Sequence, residues 1–463
     1  MSLGLEQLTS CFQGIIPAML YTCARDGTPN AAYLSHVEYV DPTHVALSFQ
    51  FFNKSRRNIE ENPHAVVHVG DPDTAQGWAL RLTYERSQTS GPIFDRMFWR
   101  IEAIASYCGM KGVFKLLAAD IYKVESVERV PEEDGQTDRS APPLRARPPD
   151  PVFTMKALQD LSMQINTAES LEHLLDSIVV GLKQHFNFSH SMIALTGEKP
   201  DTLVMIASRG YQEGGAGAEV HYGEGIIGLV AEAKKPIRIS GLLRGMLHAH
   251  AARRRAEEKG WCSDDRRVPL PGLENPSSQL GVPLMVRGEL IGVLCIESET
   301  PYRFHEEDKT SIELLGSYLA IAIQNMQLRE QEDAPAGTGV EVPVGPHFSA
   351  AVEPRVAKRE VAYYRGEEVV MLDGEYLIRS LPARILWKLL QAYQQDGRAE
   401  FTNRELRLDK SLNLPDFKDN LETRLLLLRR RLDQKGGDLR LVPRGRGRFA
   451  LEVAGEVELV ERD

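Results

Sequence analysis

Two stretches rich in proline and charge constrain the fold of this chain more than any other feature. Residues 130–151 read VPEEDGQTDRSAPPLRARPPDP, and residues 330–354 read EQEDAPAGTGVEVPVGPHFSAAVEP. Neither has a regular apolar period, so neither can bury enough apolar surface to offset the entropy lost on ordering. The 463 residues are also too many for a single core. We therefore predict domains at residues 1–129, 152–330 and 356–463, joined by linkers at residues 130–151 and 331–355.

Composition excludes several classes of protein. The formal charge of −10 opposes indiscriminate binding to nucleic acid, although it leaves room for one basic face. The five cysteines form no CxxC pair, which is typical of a reduced cytoplasm rather than of a disulfide framework. No apolar run is long enough to cross a bilayer, and the N-terminal residues lack the pattern of an export signal. We expect a cytoplasmic protein with no membrane partner.

The last segment combines strand and helix patterns in a specific order. Residues 359–380 alternate apolar and polar side chains around an Asp-Gly dipeptide, which predicts a β-hairpin. A helix capped by Ser380 follows, and Thr402 can cap a second, short helix. A third helix is predicted within residues 415–437, where leucines recur at spacings of three and four before a Gly-Gly stop. Residues 440–453 then predict two strands around a tight glycine turn.

Basic side chains concentrate on this third helix and on the closing hairpin, RLVPRGRGRFALEV. Through its leading strands, the LETRLLLLRRRLDQ helix and the PRGRGRFAL turn, the segment resembles the winged-helix effector domain of OmpR-type response regulators. The resemblance implies a helix in the major groove of double-stranded DNA and hairpin arginines on the backbone or in the minor groove. A phosphate-cradling loop would need its glycines between a strand and a helix N-terminus, and a solvated basic helix with an ordinary hairpin is the other alternative. The predicted DNA contacts are Arg424, Arg431, Arg444, Arg446 and Arg448.

The middle segment opens with two amphipathic helices and continues as strands. Its most informative stretches are GEGIIGLVAEAKKPIRI at residues 223–239 and SSQLGVPLMVRGELIGVLCIES at residues 277–298, followed by a long helix. In this order they resemble a GAF domain over residues 153–330. The resemblance implies an antiparallel sheet, a pocket for a small-molecule effector, and a homodimer formed through the terminal helices.

Between these two stretches lies a candidate metal site. Residues 240–276 contain His248, His250 and Cys262, which are good ligands for iron, haem iron or zinc. The two histidines can chelate together on an irregular segment, whereas on a helix residues two apart point away from each other. The alternative, favoured by the sequence HAHAARRR, is an exposed basic helix that binds no metal.

The first segment alternates with period two between turn signals, which favours a sheet-rich barrel. FQFFNKSRRNIEENPHAVV at residues 49–67 and LLAADIYKVESVERV at residues 116–130 resemble the pyridoxamine-phosphate-oxidase-like, FMN-binding split barrel. With the other two resemblances, this predicts a multidomain α+β protein: a split β-barrel, a GAF sandwich with an antiparallel sheet, and a C-terminal winged helix.

The barrel resemblance suggests a flavin site. Lys54, Ser55 and Arg56 are predicted at a strand end and a helix N-terminus, where the helix dipole favours a phosphate. Ser48 and Gln50 on the preceding strand could reach the isoalloxazine ring. The alternatives are a solvated helix start in a barrel without a cofactor, or haem bound through strand histidines, which are more often structural. The histidines concerned are His36, His64 and His68.

The three resemblances together predict a one-component transcriptional regulator. Such a protein would join ligand sensing to DNA binding in one chain and would not itself be an enzyme. A flavin-dependent oxidoreductase with an accessory tail is the alternative, although no paired acid and base or nucleophile supports it.

Overall fold

The computed structural model describes residues 4–8, 11–12, 18–50, 53–71, 76–107, 115–130, 151–212, 214–240, 268, 270–274, 276–301, 303–332, 358–412, 414, 421–436, 438–445 and 447–462. These residues form a multidomain α+β protein with four sheets. None of the described helices is both long enough and apolar enough to span a membrane.

The first unit is a seven-stranded antiparallel sheet. Its strands are β1 Ala18–Cys23, β2 Pro29–Leu34, β3 Val37–Asp41, β4 His44–Phe49, β5 His64–Gly70, β6 Gly77–Gln88 and β7 Ala118–Arg129. The order across the sheet is β2-β1-β5-β6-β7-β4-β3. Helix α1 (Asn53–Glu61), helix α2 (Pro92–Tyr107) and a 3₁₀ turn, Leu5–Leu8, complete the unit. The predicted helix start after β4 is confirmed.

The second unit is a six-stranded antiparallel sheet in the order β10-β9-β8-β13-β12-β11. The strands are β8 His190–Thr196, β9 Thr202–Arg209, β10 Glu219–His221, β11 Ile237–Ser240, β12 Ser278–Val286 and β13 Glu289–Ser298. The helices are α3 Pro151–Thr167, α4 Leu171–Phe186, α5 Gly225–Ala233 and α6 Glu306–Glu332.

The sheet of the second unit has two covered faces. Helices α3, α4 and α6 pack their leucines and isoleucines on one face, while α5 packs on the other. Ser170 caps α4 by accepting from the His173 N–H at 3.2 Å, which fixes the start of that helix. The Gly288 turn joins β12 to β13, and Gly288 has φ of +82°.

The third unit has two small sheets with helices between them. Its strands are β14 Lys358–Tyr364, β15 Val369–Leu372, β16 Glu375–Arg379, β17 Glu400–Thr402, β18 Leu439–Pro443, β19 Arg448–Val453 and β20 Glu456–Arg462. Its helices are α7 Ser380–Asp396, α8 Asn403–Leu408 and α9 Leu421–Gln434, with a 3₁₀ turn at Lys410–Leu412. The sheet orders are β16-β15-β14-β20 and β17-β19-β18, and β20 lies parallel to β14.

Local signals explain most of the third unit. Asp373 and Gly374 both have positive φ, of 51° and 80°, as a tight hairpin turn between β15 and β16 requires. Thr402 and Glu405 form a reciprocal capping box at the start of α8. Arg379, rather than Ser380, occupies the cap position of α7 and makes no side-chain capping hydrogen bond, so that detail of the prediction was wrong.

The second and third units share one connected apolar core. Leu171 and Ile206 of the second unit belong to the same cluster of buried side chains as Leu427 and Leu428 of α9. Gly217, with φ of +89°, lies at this contact, where a Cβ would be at ordinary contact distance from Leu427 and from the Arg431 side chain. The third unit is therefore packed directly against the second.

Candidate functional site

A buried polar cluster lies on the α5 side of the second sheet. Glu297 of β13 faces Gln279 of β12, and the Gln279 amide donates to the Glu297 carboxylate at 2.7 Å. The backbone N–H of Leu273 donates to the other carboxylate oxygen at 2.9 Å. His190 of β8 is the cross-strand neighbour of Glu297, and Cys295 lies two residues before Glu297 on the same strand face. Four polar side chains from three adjacent strands thus meet on one face.

One polar group of this cluster has unused hydrogen-bonding capacity. The Gln279 Oε1 is buried with no hydrogen-bond partner within the part of the chain that is described. The Tyr211 hydroxyl is buried beside the Glu297 carboxylate. Burial raises the pKa of Glu297, and burial together with the nearby Glu297 raises the pKa of Tyr211. A buried polar group without a partner costs about 1–3 kcal/mol, so a ligand that donates to the Gln279 oxygen would gain affinity.

The chemistry of the cluster suits binding better than thiol catalysis. Cys295 is fully buried, and burial raises the pKa of its thiol well above the ordinary value. Since the thiolate is the reactive form, this cysteine is a poor nucleophile. Hydrogen-bond donors and acceptors beside a cluster of apolar residues that includes Ile227 and Val268 are instead typical in composition of sites that bind small polar molecules.

The predicted metal ligands His248, His250 and Cys262 lie outside the described residues. Among the residues that are described, no group of three or more His, Cys, Asp or Glu side chains could hold a metal ion.

The predicted flavin-phosphate residues lie together at the start of α1, but Arg56 already has several protein partners. Arg56 donates to Asp120 at 2.9 Å and to the Ser87 hydroxyl at 2.8 Å. Its Nε also donates to Glu60 at 3.1 Å. A phosphate would have to displace the Asp120 carboxylate, so these residues fit an FMN phosphate poorly.

The remaining predicted cofactor residues differ in their surroundings. The Ser55 hydroxyl accepts from Asn30 at 2.9 Å, and the Ser48 hydroxyl accepts from the His36 backbone N–H at 3.1 Å. Lys54 is exposed, and Gln50 is buried with its Nε2 lacking a partner among the described residues. Each histidine considered for haem contacts a residue of its own unit. His36 and His64 form hydrogen bonds with Glu38 and Thr83, and the His68 ring packs against Tyr21.

A cleft of about 820 Å³ lies between the first and second units. On its first-unit side, the Glu38 carboxylate accepts from His36 at 2.9 Å and from Arg100 at 2.7 Å. Arg238 of the second unit pairs with Glu306 at 3.1 Å. The lining includes acidic and basic side chains in matched pairs, so the cleft has no clear preference for an anion or a cation.

The predicted DNA-contacting helix, α9, lies against the second unit. Arg424 is 8% exposed and pairs with Glu198 at 3.3 Å. Arg431 is 7% exposed and donates to the carbonyl groups of Leu377 and Tyr376 at 2.9 and 3.3 Å. Neither guanidinium can reach a DNA phosphate in this arrangement, and Arg431 instead joins α9 to β16.

Two arginines that were absent from the predicted contacts make the main polar contacts of α9. Arg429 binds the Glu172 carboxylate of α4. Arg430 donates to the backbone carbonyl of Ile206 at 2.8 Å and to Asp176 at 2.5 Å. The run of three arginines at positions 429–431 was a usable signal, but helical spacing alone did not indicate which of them face the neighbouring unit.

The hairpin arginines lie on the surface. Arg444 is exposed and pairs with Glu452 at 2.9 Å, and Arg448 is exposed at the start of β19. Arg446 lies outside the described residues. Gly445 and Gly447 have φ of +101° and +65°, which confirms the predicted glycine turn.

Residues 168–324 match the family model of the GAF domain. The second unit is therefore a GAF domain, and a GAF domain suggests a small-molecule-sensing function. No curated protein matches the chain.

Solved structures similar to parts of the chain include two GAF domains of phosphoenolpyruvate-protein phosphotransferases. The Acinetobacter domain is 23% identical, with 38% of this chain and 95% of that chain covered and a TM-score of 0.31. The Coxiella burnetii domain is 23% identical, with 39% and 98% covered and a TM-score of 0.31. An FMN-binding protein from Syntrophomonas wolfei is 20% identical, with 28% and 90% covered and a TM-score of 0.24.

Proposed function

We propose that this protein is a one-component transcriptional regulator, in which the GAF domain senses a small molecule and the third unit binds double-stranded DNA as a winged helix. One observation carries the proposal: the basic helix α9 packs directly on the GAF domain, with its arginines on GAF carboxylates. A sensor and an effector that share a packed boundary can exchange a signal without a second protein.

The architecture of the third unit supports the DNA-binding half of the proposal. The helices α7, α8 and α9 precede the β18–β19 hairpin, the order found in a winged helix. The exposed side chains of Arg444 and Arg448 lie on that hairpin, where they can reach phosphates or the minor groove.

The polar cluster of the GAF domain supports the sensing half. The effector would carry a hydrogen-bond donor for the Gln279 oxygen. No flavin is included in the proposal, because Arg56 is already neutralised by Asp120.

The proposal includes a homodimer, supported by an apolar stripe on α6. Leu314, Tyr318, Ile321 and Leu328 are each 46–49% exposed and share one face with the exposed Asn325. Their spacings of four, three, four and three residues are those of a coiled-coil seam, and an Asn within such a seam favours a two-stranded, in-register pair. On the neighbouring helix α3, Met155 and Met163 are 67% and 59% exposed and extend the apolar surface.

The test is genome-wide selection of bound DNA by the full chain. Sheared genomic DNA would be captured on the immobilised protein at moderate salt, sequenced, and compared with capture by an Arg444→Ala/Arg448→Ala variant. Enrichment of a few discrete sites by the native chain but not by the variant is expected. Equal, unenriched recovery with both proteins would contradict the proposal.

A further inference from the structure

Three of the four arginines of α9 form ion pairs with the GAF domain. Arg424, Arg429 and Arg430 pair with Glu198, Glu172 and Asp176 respectively. The arginine side chains are only 9%, 19% and 16% exposed, so solvent and other ligands have little access to them.

The GAF surface that contacts these arginines presents negatively charged oxygens to them, as the phosphates of DNA would. Glu172 and Asp176 lie one helical turn apart on α4, so their carboxylates project from one face. The carbonyl of Ile206 adds a neutral acceptor, which Arg430 uses at 2.8 Å. We name Glu172, Asp176 and Glu198 the acidic face.

Strand β9 connects this contact with the opposite face of the sheet, where the polar cluster lies. Its residues alternate, with Leu203 and Met205 in the apolar cluster on the α5 side, and Val204 and Ile206 in the cluster that includes α9. Tyr211, which packs against the apolar cluster on the α5 side, follows the same strand. Because Arg430 donates to the Ile206 carbonyl, a displacement of β9 by a ligand beside Tyr211 would move the acceptor of that hydrogen bond.

We propose that the acidic face competes with DNA for the arginines of α9, so that the arrangement described here is the DNA-free, closed state of the regulator. This inference rests on the proposed function and adds its regulation. Effector binding beside β9 releases α9, and DNA then replaces the carboxylates as the partner of the same guanidinium groups. The closed and released states exchange without any covalent step.

The experiment uses the full chain with Glu172→Gln and Asp176→Asn together. These changes keep the size and most hydrogen-bonding capacity of both side chains but remove their charge. Glu128→Gln is the matched control, because Glu128 is an exposed carboxylate that pairs with Arg81 on the first unit. Two quantities are measured: hydrogen exchange of the α9 amides, and affinity for a DNA site selected as described above.

The expected result is faster exchange in α9 and an affinity for DNA raised by about five- to 150-fold, the usual range of allosteric coupling. The control variant should match the native chain in both. Charge exchange, Glu172→Arg with Arg429→Glu, should restore slow exchange if the pair itself holds α9 in place.

The remaining outcomes separate the two proposals. Unchanged exchange in the double variant would overturn the closed state, and faster exchange with unchanged DNA affinity would overturn the competition while leaving DNA binding intact. Faster exchange with no DNA bound by any form of the protein would refute the proposed function itself, and the competition with it.

Discussion

The guanidinium of Arg430 donates to the backbone carbonyl of Ile206 at 2.8 Å, across 224 residues of sequence and across the boundary between the third unit and the GAF domain. Because the acceptor is a backbone carbonyl, this contact depends on the position of β9 and not on the rotamer of a side chain. It places the C-terminal part of α9 on β9, the strand that Tyr211 follows.

Replacing Arg448 with alanine should weaken DNA binding by a similar factor for all sequences and lower the slope of log affinity against log salt by about 1. The reason is that Arg448 lies exposed on the hairpin, where it would contact phosphate. Fluorescence anisotropy over a salt series measures both. Arg365→Ala is the control, since Arg365 directly follows β14, a strand of the other sheet of the third unit, and donates to Glu461. An unchanged slope for Arg448→Ala would remove this residue from the interface.

Replacing Glu297 with glutamine should change how stability depends on pH. Burial raises the pKa of Glu297 above its ordinary value of 4.5, so folding favours the protonated form. Wild-type stability therefore decreases as pH rises from 4.5 through the raised pKa, whereas the variant lacks this decrease. In urea unfolding from pH 4 to pH 8, the unfolding free energy of the variant should rise relative to that of the wild type as pH increases. Parallel curves would show that Glu297 ionises freely in the folded protein.

Replacing Glu38 with glutamine should destabilise the first unit by about 2–3 kcal/mol at pH 7, because it leaves buried positive charge without a counter-ion. The groups that face Glu38 are His36, Arg96 and Arg100. Arg100 and its neighbours hold the pKa of Glu38 far below 4.5 despite burial, so its contribution is present above pH 4.5 and is lost as pH falls below that value.

The measurement is chemical unfolding of both proteins between pH 3 and pH 7, with Glu128→Gln as the exposed control. The difference in unfolding free energy between the wild type and Glu38→Gln should become smaller as the solution becomes more acidic. His36 adds a separate loss of stability below its ordinary pKa of 6.5, since burial lowers its pKa, so the comparison is made at each pH. A constant difference between wild type and Glu38→Gln would contradict the assignment.

Replacing Ile321 and Leu328 with lysine should convert the proposed dimer to monomer, because four charges would meet along the α6 seam. Sedimentation velocity at micromolar protein concentration measures the change. Leu408→Lys is the control, since Leu408 is an apolar side chain with 71% exposure on α8, in the third unit. A dimer that persists in the double variant would place the interface elsewhere.

Much of the fold could be predicted from local signals. The Asp373-Gly374 turn, the Thr402 cap and the amphipathic pattern of α4 each depend on neighbouring residues, and the structure confirms them. The GAF domain was also predictable, since its stretches occur in a fixed order.

The packing between units could not be predicted in this way. Arg424 and Arg431 have the spacing of an exposed basic helix, yet they are buried because of partners far away in sequence, such as Glu198. Likewise, the flavin prediction for Arg56 depended on a helix start, whereas Asp120, 64 residues later, neutralises its charge. The strand β20 was missed as well, although residues 456–459 alternate charged and apolar side chains.

The parallel pairing of β20 with β14 has a consequence for how the third unit is made. Tyr364 of β14 and Arg462 of β20 are 98 residues apart, so this edge of the sheet stays open until nearly all of the unit has been synthesised. At about 5–20 residues per second, the ribosome leaves β14 without its neighbour for about 5–20 s. Unpaired strand edges recruit other chains. The nascent protein thus passes through an interval in which aggregation competes with folding, and chaperones would act most usefully there.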